Sequence, residues 1–432
     1  MKREIYRDLL EWKTSTSRKP LMLYGARQVG KTYILKEFGS KEFENMVYIN
    51  CYKNSTVAEI FEKDADIKRI IRDLSIYTGE TIKPFETFLF FDEVQETPDI
   101  VGSLKYFCED APEIFVATAG SLLGVMDMKG ASFPTGNVDI MHLYPMTYAE
   151  FLTALGHEEM AALIKEPESM NSLNALSAKY EDILRQYYYV GGMPRVVKEF
   201  IESGNLQKVR KLQYGIIEAY EADIAKHAGK DAVKARKVWL SIPQQLAKEN
   251  KKFVYGALRK GARAAEYENA IQWLIDSGIV YKVNRAKKAA IPLTFYLDNN
   301  VFKLFVLDVG ILGAMNKTPA SEVLIKNNIF SEYKGAFTEN YVLSQLVTKQ
   351  DIVVAYFSKD DSKVEIDFLI QNDDKIIAAE VKAEENVKSK SLRQFVTIDN
   401  AGSGIQGLRF SMKGFIDQGW MLNVPLFAVS LL

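Results

Sequence analysis

Cysteine is scarce in this chain. Only Cys51 and Cys108 occur among 432 residues, and neither sits in a metal-type spacing. That excludes a structural zinc and a disulfide framework, and makes a reducing cytoplasm the expected compartment. Histidine is also rare: His142, His157 and His227 are scattered and read as surface or packing residues. No apolar run approaches the roughly 18 residues of a membrane-spanning helix, so no membrane partner is expected. The opening Met1-Lys2-Arg3-Glu4-Ile5-Tyr6-Arg7 is charged and lacks the apolar core of a signal peptide. Excess charge is missing too. The formal net charge is −1, so any nucleic-acid contact must come from local patches. No repeat or low-complexity segment stands out. What remains is globular composition, 47% apolar and 26% charged, in a chain long enough for roughly two to four domains.

The most specific feature present is Gly25-Ala26-Arg27-Gln28-Val29-Gly30-Lys31-Thr32, which fits G-x-x-x-x-G-K-[ST]. The apolar run Leu21-Met22-Leu23-Tyr24 precedes it, and Tyr33-Ile34-Leu35-Lys36-Glu37-Phe38 follows with helical character. Strand, glycine loop and helix is the context that gives the pattern a mechanism. The glycines let successive N–H groups turn inward toward phosphate oxygens. Lys31 would reach the β- and γ-phosphates, Thr32 would hold Mg²⁺, and the helix N-terminus adds its positive end.

A triphosphate site also needs an acid for the metal and a group to orient water. Thr87-Phe88-Leu89-Phe90-Phe91 reads as a strand buried on both faces, and Asp92-Glu93 follow at its carboxyl end. Asp92 would hold Mg²⁺ through water, and Glu93 would polarise the attacking water. A further strand, Ile114-Phe115-Val116-Ala117, leads into Thr118-Ala119-Gly120-Ser121. Thr118 and Ser121 are candidates to sense the γ-phosphate, although strand ends carry such residues for turn reasons as well.

The expected fold class is α/β. Residues 1–155 alternate strand-like and helix-like segments, the pattern of a P-loop parallel sheet sandwiched by helices. Residues 156–235 turn helical, with Gly191-Gly192-Met193-Pro194 closing one helix and opening the next. They read as a helical lid, from which Arg185 or Arg195 would reach the phosphates. Residues 236–315 read as a winged-helix-like module and connector. Its helix starts at Ile242-Pro243, and its wing pairs Ile279–Val283 with Pro292–Leu297. Lys251, Lys252, Arg259, Lys260, Arg263, Arg285, Lys287 and Lys288 concentrate positive charge there, which makes nucleic acid a possible partner. Asn316 to Ser321 reads as a linker.

Residues 321–432 carry a second set of polar groups. Val364–Ile370 alternates as a strand should, Gln371 to Lys375 is turn-like, and Ile376–Lys382 is a second strand. On a period of two, Glu365 and Asp367 share a face, as do Glu380 and Lys382. A hairpin would join these faces. Asp367 and Glu380, with the Val381 carbonyl, would bind Mg²⁺, and Lys382 would orient water for phosphodiester attack. Glu339, at the start of a helix, would lean toward the metal. This is the layout of PD-(D/E)XK nucleases, so a restriction-endonuclease-like α/β domain is expected.

Taken together, the chain resembles a family of bacterial and archaeal AAA-type ATPases that join an N-terminal P-loop module to a C-terminal domain of poorly defined function. The resemblance runs through nearly the whole chain. It rests on the octapeptide 25–32, Phe90-Phe91-Asp92-Glu93-Val94-Gln95, Tyr144-Pro145-Met146, Gly191-Gly192-Met193-Pro194, Leu307-Asp308-Val309-Gly310, Glu339-Asn340 and Glu380-Val381-Lys382. It implies ATP as the nucleotide and a restriction-endonuclease-like C-terminal fold. The chain departs from the family at Gly136-Asn137, where members often carry Gly-Arg or Gly-Lys, and at Arg195, where many carry an acid. Two functions compete. One is an ATP-driven enzyme acting on nucleic acid, with a metal-dependent cut made by the C-terminal acids. The other is an ATP-controlled switch, with ATP-dependent homo-oligomerisation or partner docking on an inactive nuclease-like scaffold. Nothing in the residues singles out a third, a defence or antitoxin-like role.

Overall fold

The computed structural model describes residues 1–120, 134–248, 251–324, 331–349, 351–359, 364–383 and 389–432. The chain divides into two compact units, one formed by Met1–Tyr144 with Asp276–Gly278, the other by Pro145–Ile275 with Ile279–Leu432. No described helix is long and apolar enough to cross a membrane.

The first unit is built on five parallel strands: β1 (Leu21–Tyr24), β2 (Asn45–Asn50), β3 (Thr87–Asp92), β4 (Phe115–Gly120) and β5 (Asp139–His142), in the order β2-β3-β4-β1-β5. Every residue of β1, β3 and β4 is buried, as expected of a parallel sheet covered on both faces. Alternation then divides the side chains between two cores. Leu89 and Phe91 pack with Val47, Ile49, Phe61, Leu74, Leu104 and Val116. Phe88, on the opposite face, meets Phe38 and Trp12 with ring centroids 5.6 and 6.4 Å away. The covering helices start where local chemistry dictates. Asp66 caps Ile67–Thr78 by accepting from the N–H groups of Lys68 and Arg69. Pro98 opens Pro98–Asp110 at a position whose N–H would have no partner.

The second unit begins with helices and ends in an eight-stranded mixed sheet. Its strands are β6 (Val280–Ala286), β7 (Leu297–Val306), β8 (Ile352–Ser358), β9 (Glu365–Asn372), β10 (Lys375–Val381), β11 (Gln406–Ser411), β12 (Ile416–Asp417) and β13 (Met421–Pro425). Their order is β12-β13-β11-β10-β9-β8-β6-β7.

Several details differ from the sequence reading. The expected wing, the β6–β7 hairpin, is the edge pair of this sheet, because β6 runs parallel to β8 through Arg285 opposite Tyr356 and Ala286 opposite Phe357. Residues 280–306 and 352–425 therefore share one sheet. The return strand starts at Leu297, since Leu293–Tyr296 forms a 3₁₀ turn. Pro243 lies inside the helix Ala232–Leu246 and does not open it; lacking an N–H, it removes one i→i−4 bond from the last turn. The segment expected as a linker is partly packed, with Thr318 buried and its N–H bonded to the Gly313 carbonyl at 2.9 Å.

Candidate functional site

The parallel register sets the carboxyl ends of β1, β3 and β4 side by side, with Tyr24 opposite Gly120 and Asp92 opposite Ala119. The glycine loop leaves β1 at that edge. A Cβ on Gly25 would lie 2.2 Å from the Leu143 carbonyl oxygen, so only glycine fits. Gly30 takes φ 101° and starts the helix Lys31–Glu42 from the left-handed region. Arg3 braces the loop by donating to the carbonyls of Val29 (3.0 Å) and Tyr144 (2.7 Å). These features set a braced glycine loop directly before a helix N-terminus, an arrangement suited to phosphate.

Three polar side chains meet beside the loop. The Lys31 ammonium donates to the carbonyls of Gly25 (2.8 Å) and Ala26 (3.0 Å). Burial pushes it down to about 8, against the pull of Glu93 and Asp92. The Thr32 hydroxyl donates to Asp92 Oδ2 at 2.8 Å. Asp92 is 4% exposed, and burial raises its carboxyl above the usual range although the Thr32 hydroxyl favours the charged form. A hydroxyl and a carboxylate oxygen in contact are the hard donors Mg²⁺ takes. Thr32 and Asp92 therefore fit the metal that the resemblance implies.

Glu93 follows at φ 56°, in the left-handed region, which is rarely adopted outside glycine and asparagine. Its carboxylate accepts a hydrogen bond from Gln95 Nε2. The sequence reading missed two neighbours. Tyr48, on β2, donates its hydroxyl to Asp92 Oδ2 at 3.2 Å, and Gln95 holds Glu93. Tyr48 carried only the signal of a polar ring one strand away from the acid.

Of the sensor candidates, Thr118 is buried with its hydroxyl directed to the Leu21 carbonyl, 3.3 Å away. Ser121 lies outside the described residues. Arg27 is exposed at the loop tip. In the second unit, Arg185 is matched within its own helix by Asp182 (2.8 Å) and Glu181 (3.3 Å), and Arg195 is exposed.

The motifs of the second unit meet in a buried knot. Asp308 accepts the N–H of Gly192 at 2.6 Å and of Ile311 at 2.9 Å. Met146 N–H donates to the Gly192 carbonyl at 2.7 Å, and the Tyr187 hydroxyl to the Met146 carbonyl at 2.5 Å. A Cβ on Gly191 would sit 2.2 Å from Asp308 Oδ1, and one on Gly192 2.1 Å from the Met146 oxygen. Asn340 pairs both ways with the Val306 backbone, each bond 2.9 Å. The glycines serve close packing as well as helix termination.

The β9–β10 hairpin pairs Phe368 with Ala379, so Asp367 stands opposite Glu380. Asp367 Oδ2 accepts the Val381 N–H at 2.8 Å; it is the N–H of Val381, where the carbonyl was expected, that meets the acid. Lys382 Nζ lies 2.7 Å from Glu380 Oε1. Glu339, on the helix Ser331–Leu346, is 2% exposed, and its charge bears on Asp367.

Two lysines absent from the sequence reading of this site fill its centre. Lys251 pairs with Glu339 Oε1. Lys303, only 1% exposed, lies 2.7 Å from Glu365 Oε1 and 3.9 Å from Glu339 Oε2. Burial alone would lower the Lys303 ammonium, but Glu339, Glu365 and Asp367 together raise it. Burial, then the charge of Glu339, raises Asp367. Among the described residues, no three His, Cys, Asp or Glu side chains gather in a metal-holding arrangement. The set does not fit Mg²⁺ as it stands. The basic patch is also partly spent internally: Arg259 pairs with Glu266 (2.7 Å), Arg285 with Asp298 (2.9 Å) and Lys251 with Glu339.

A parallel sheet with a G-x-x-x-x-G-K-T loop, and an acid at the end of a neighbouring strand touching the threonine, defines a P-loop fold. The comparisons agree and make it narrower. Residues 17–152 match the AAA domain family. Residues 181–322 match a domain of unknown function, DUF8612, and residues 334–416 another, DUF4143. No curated protein matches the chain. Solved structures similar to it include a Walker-type ATPase of Pyrococcus abyssi, at 15% identity over 73% of this chain and 95% of that one, with a TM-score of 0.47. The Orc1 protein of Aeropyrum pernix in complex with DNA follows at 15% identity, 74% and 93% coverage, and a TM-score of 0.27. Cdc6p from Pyrobaculum aerophilum aligns at 14% identity, 74% and 93% coverage, and a TM-score of 0.25.

Proposed function

We propose that the first unit binds ATP with Mg²⁺ and hydrolyses it, and that the bound nucleotide controls what the second unit does. The observation that carries this reading is the Thr32–Asp92 contact of 2.8 Å beside Lys31 at a helix N-terminus. In this reading the amides of residues 25–32 and the Lys31 ammonium hold the phosphates. Thr32 and Asp92 supply oxygens to Mg²⁺, whose chemistry is to bridge and neutralise the β- and γ-phosphates. Glu93 orients the attacking water, and Gln95 fixes the carboxylate until it does. Thr118 and Ser121 remain candidates to sense the γ-phosphate.

For the second unit, the carboxylate pair on the β9–β10 hairpin with Lys382 supports a nucleic-acid-directed, nuclease-like domain. A specific observation favours the other reading, an inactive nuclease-like scaffold for partner docking. The acids Glu339 and Glu365 are already matched by Lys251 and Lys303. The helical segment 156–235 as a lid, the segment 236–315 as a nucleic-acid contact, ATP-dependent self-assembly and a cytoplasmic setting belong to the same proposal.

Turnover of ATP by the full chain, with plasmid, single-stranded DNA or RNA added, tests it. Hydrolysis lost in Lys31→Ala supports the ATPase, and polynucleotide stimulation supports the nucleic-acid target. Absence of hydrolysis in the folded protein overturns the ATPase. Nicking of plasmid with Mn²⁺ that disappears in Lys382→Ala would reverse the preference for the scaffold.

A further inference from the structure

The interior of the second unit contains a cluster of charge that the ATPase does not use. Glu339 and Lys303 are 2% and 1% exposed. An isolated charge at such depth would be prohibitive, so each needs a partner. Lys303 reaches Glu365 at 2.7 Å and Glu339 at 3.9 Å, and Lys251 closes on the other oxygen of Glu339. Two ammonium groups thus sit among the carboxylates that a nuclease-like reading would give to a divalent cation. The buried oxygens Glu339 Oε2 and Glu380 Oε2 have no hydrogen-bond partner. These are the lone pairs a small cation would take up if the lysines withdrew.

We infer that Lys251 and Lys303 are the resident cations of this cluster, and that Lys251 in particular keeps a divalent metal out of it. The inference is independent of ATP binding in the first unit. The asymmetry between the lysines comes from burial. Lys303 is enclosed on β7, whereas the Lys251 side chain keeps 16% of its surface exposed, so it can be exchanged without opening the core. The ionic contacts also join two stretches matched by different families. Lys251 and Lys303 lie within residues 181–322, and Glu339, Glu365 and Asp367 within 334–416. The acids therefore form one half of an ionic staple, with a latent metal site beneath it.

Mn²⁺ titration of the nucleotide-free full chain, followed by the electron paramagnetic resonance signal of free Mn²⁺, tests the inference. Four proteins are compared: the unaltered chain, Glu339→Gln, Lys251→Met and the double variant Lys251→Met/Glu339→Gln. The unaltered chain and Glu339→Gln should bind the same amount of Mn²⁺, because the cluster takes none. Lys251→Met should gain a single equivalent, and the double variant should lose it. The inference is overturned if Glu339→Gln lowers binding relative to the unaltered chain, because the cluster would already hold metal. It is equally overturned if Lys251→Met, folded by circular dichroism, gains nothing. Lys251→Gln carries the test should the methionine variant fail to fold.

Discussion

The Thr32 hydroxyl and the Asp92 carboxylate meet at 2.8 Å across 60 residues of sequence. A residue from the loop-to-helix junction and one from the end of β3 thereby share a single point, where Mg²⁺ is expected. Thr32→Val keeps the shape and removes the oxygen. Asp92 retains the Tyr48 hydroxyl and the Glu93 N–H, so the fold should persist. Nucleotide affinity in the presence of Mg²⁺ should fall roughly tenfold, about 1.4 kcal/mol, with little change in its absence. Calorimetry with and without Mg²⁺ reads the difference. Equal losses under both conditions would mean that Thr32 does not serve the metal.

Lys303 should be indispensable to stability. Lys303→Met leaves Glu365 without its counter-ion and Glu339 with Lys251 alone, and breaking a buried pair costs up to about 3–5 kcal/mol. Urea denaturation of the second-unit transition measures it. A variant as stable as the parent would mean that the cluster is not held by charge.

Gly191 lies at φ 76° with Asp308 Oδ1 2.2 Å from where a Cβ would stand, while Gly204, at φ 60°, faces open space. Gly204→Ala should cost about 1 kcal/mol, for conformation alone. Gly191→Ala should cost several times that, on the order of 3 kcal/mol or more, because the Asp308 knot must shift as well. Equal effects at the two positions would remove the packing role assigned to the Gly-Gly-Met-Pro segment.

Asp308 gives the fold a pH dependence of definite sign. Burial raises its carboxyl to about 6 from 3.8, against the backbone N–H groups of Gly192, Ile311 and Gly310, which lower it. Between those values the folded chain holds the proton and the unfolded chain has lost it. The Asp308 contribution therefore declines as pH rises from about 4 to 6, by up to about 3 kcal/mol, and is level above that. Asp308→Asn should be less pH-sensitive than the parent across that window when the two are compared by urea denaturation. Parallel curves would refute the assignment.

The legible parts of this molecule were the local ones. Gly25 to Thr32 announces a strand, a loop and a helix within a dozen residues, and Asp92-Glu93 ends a run too apolar to lie anywhere but inside a sheet. The alternation Glu365-Ile366-Asp367 and the turn after it fixed the β9–β10 hairpin. What stayed hidden depends on distant pairing. Nothing near Arg285 says that its strand will lie beside Tyr356, so the edge hairpin read as an independent wing. Lys303 interrupts the apolar run Phe302–Val306 visibly, yet its partners are 36 and 62 residues further along. Gly191-Gly192 read as helix punctuation because Asp308, the group that forbids a side chain there, lies more than a hundred residues away.

The most direct test of the account is isothermal titration of ATP with Mg²⁺ into the full chain beside Lys31→Ala, both shown to be folded. Saturable binding at one site per chain, abolished or weakened by orders of magnitude in Lys31→Ala, is the predicted result. No heat from the parent, or the same affinity in both proteins, would contradict it.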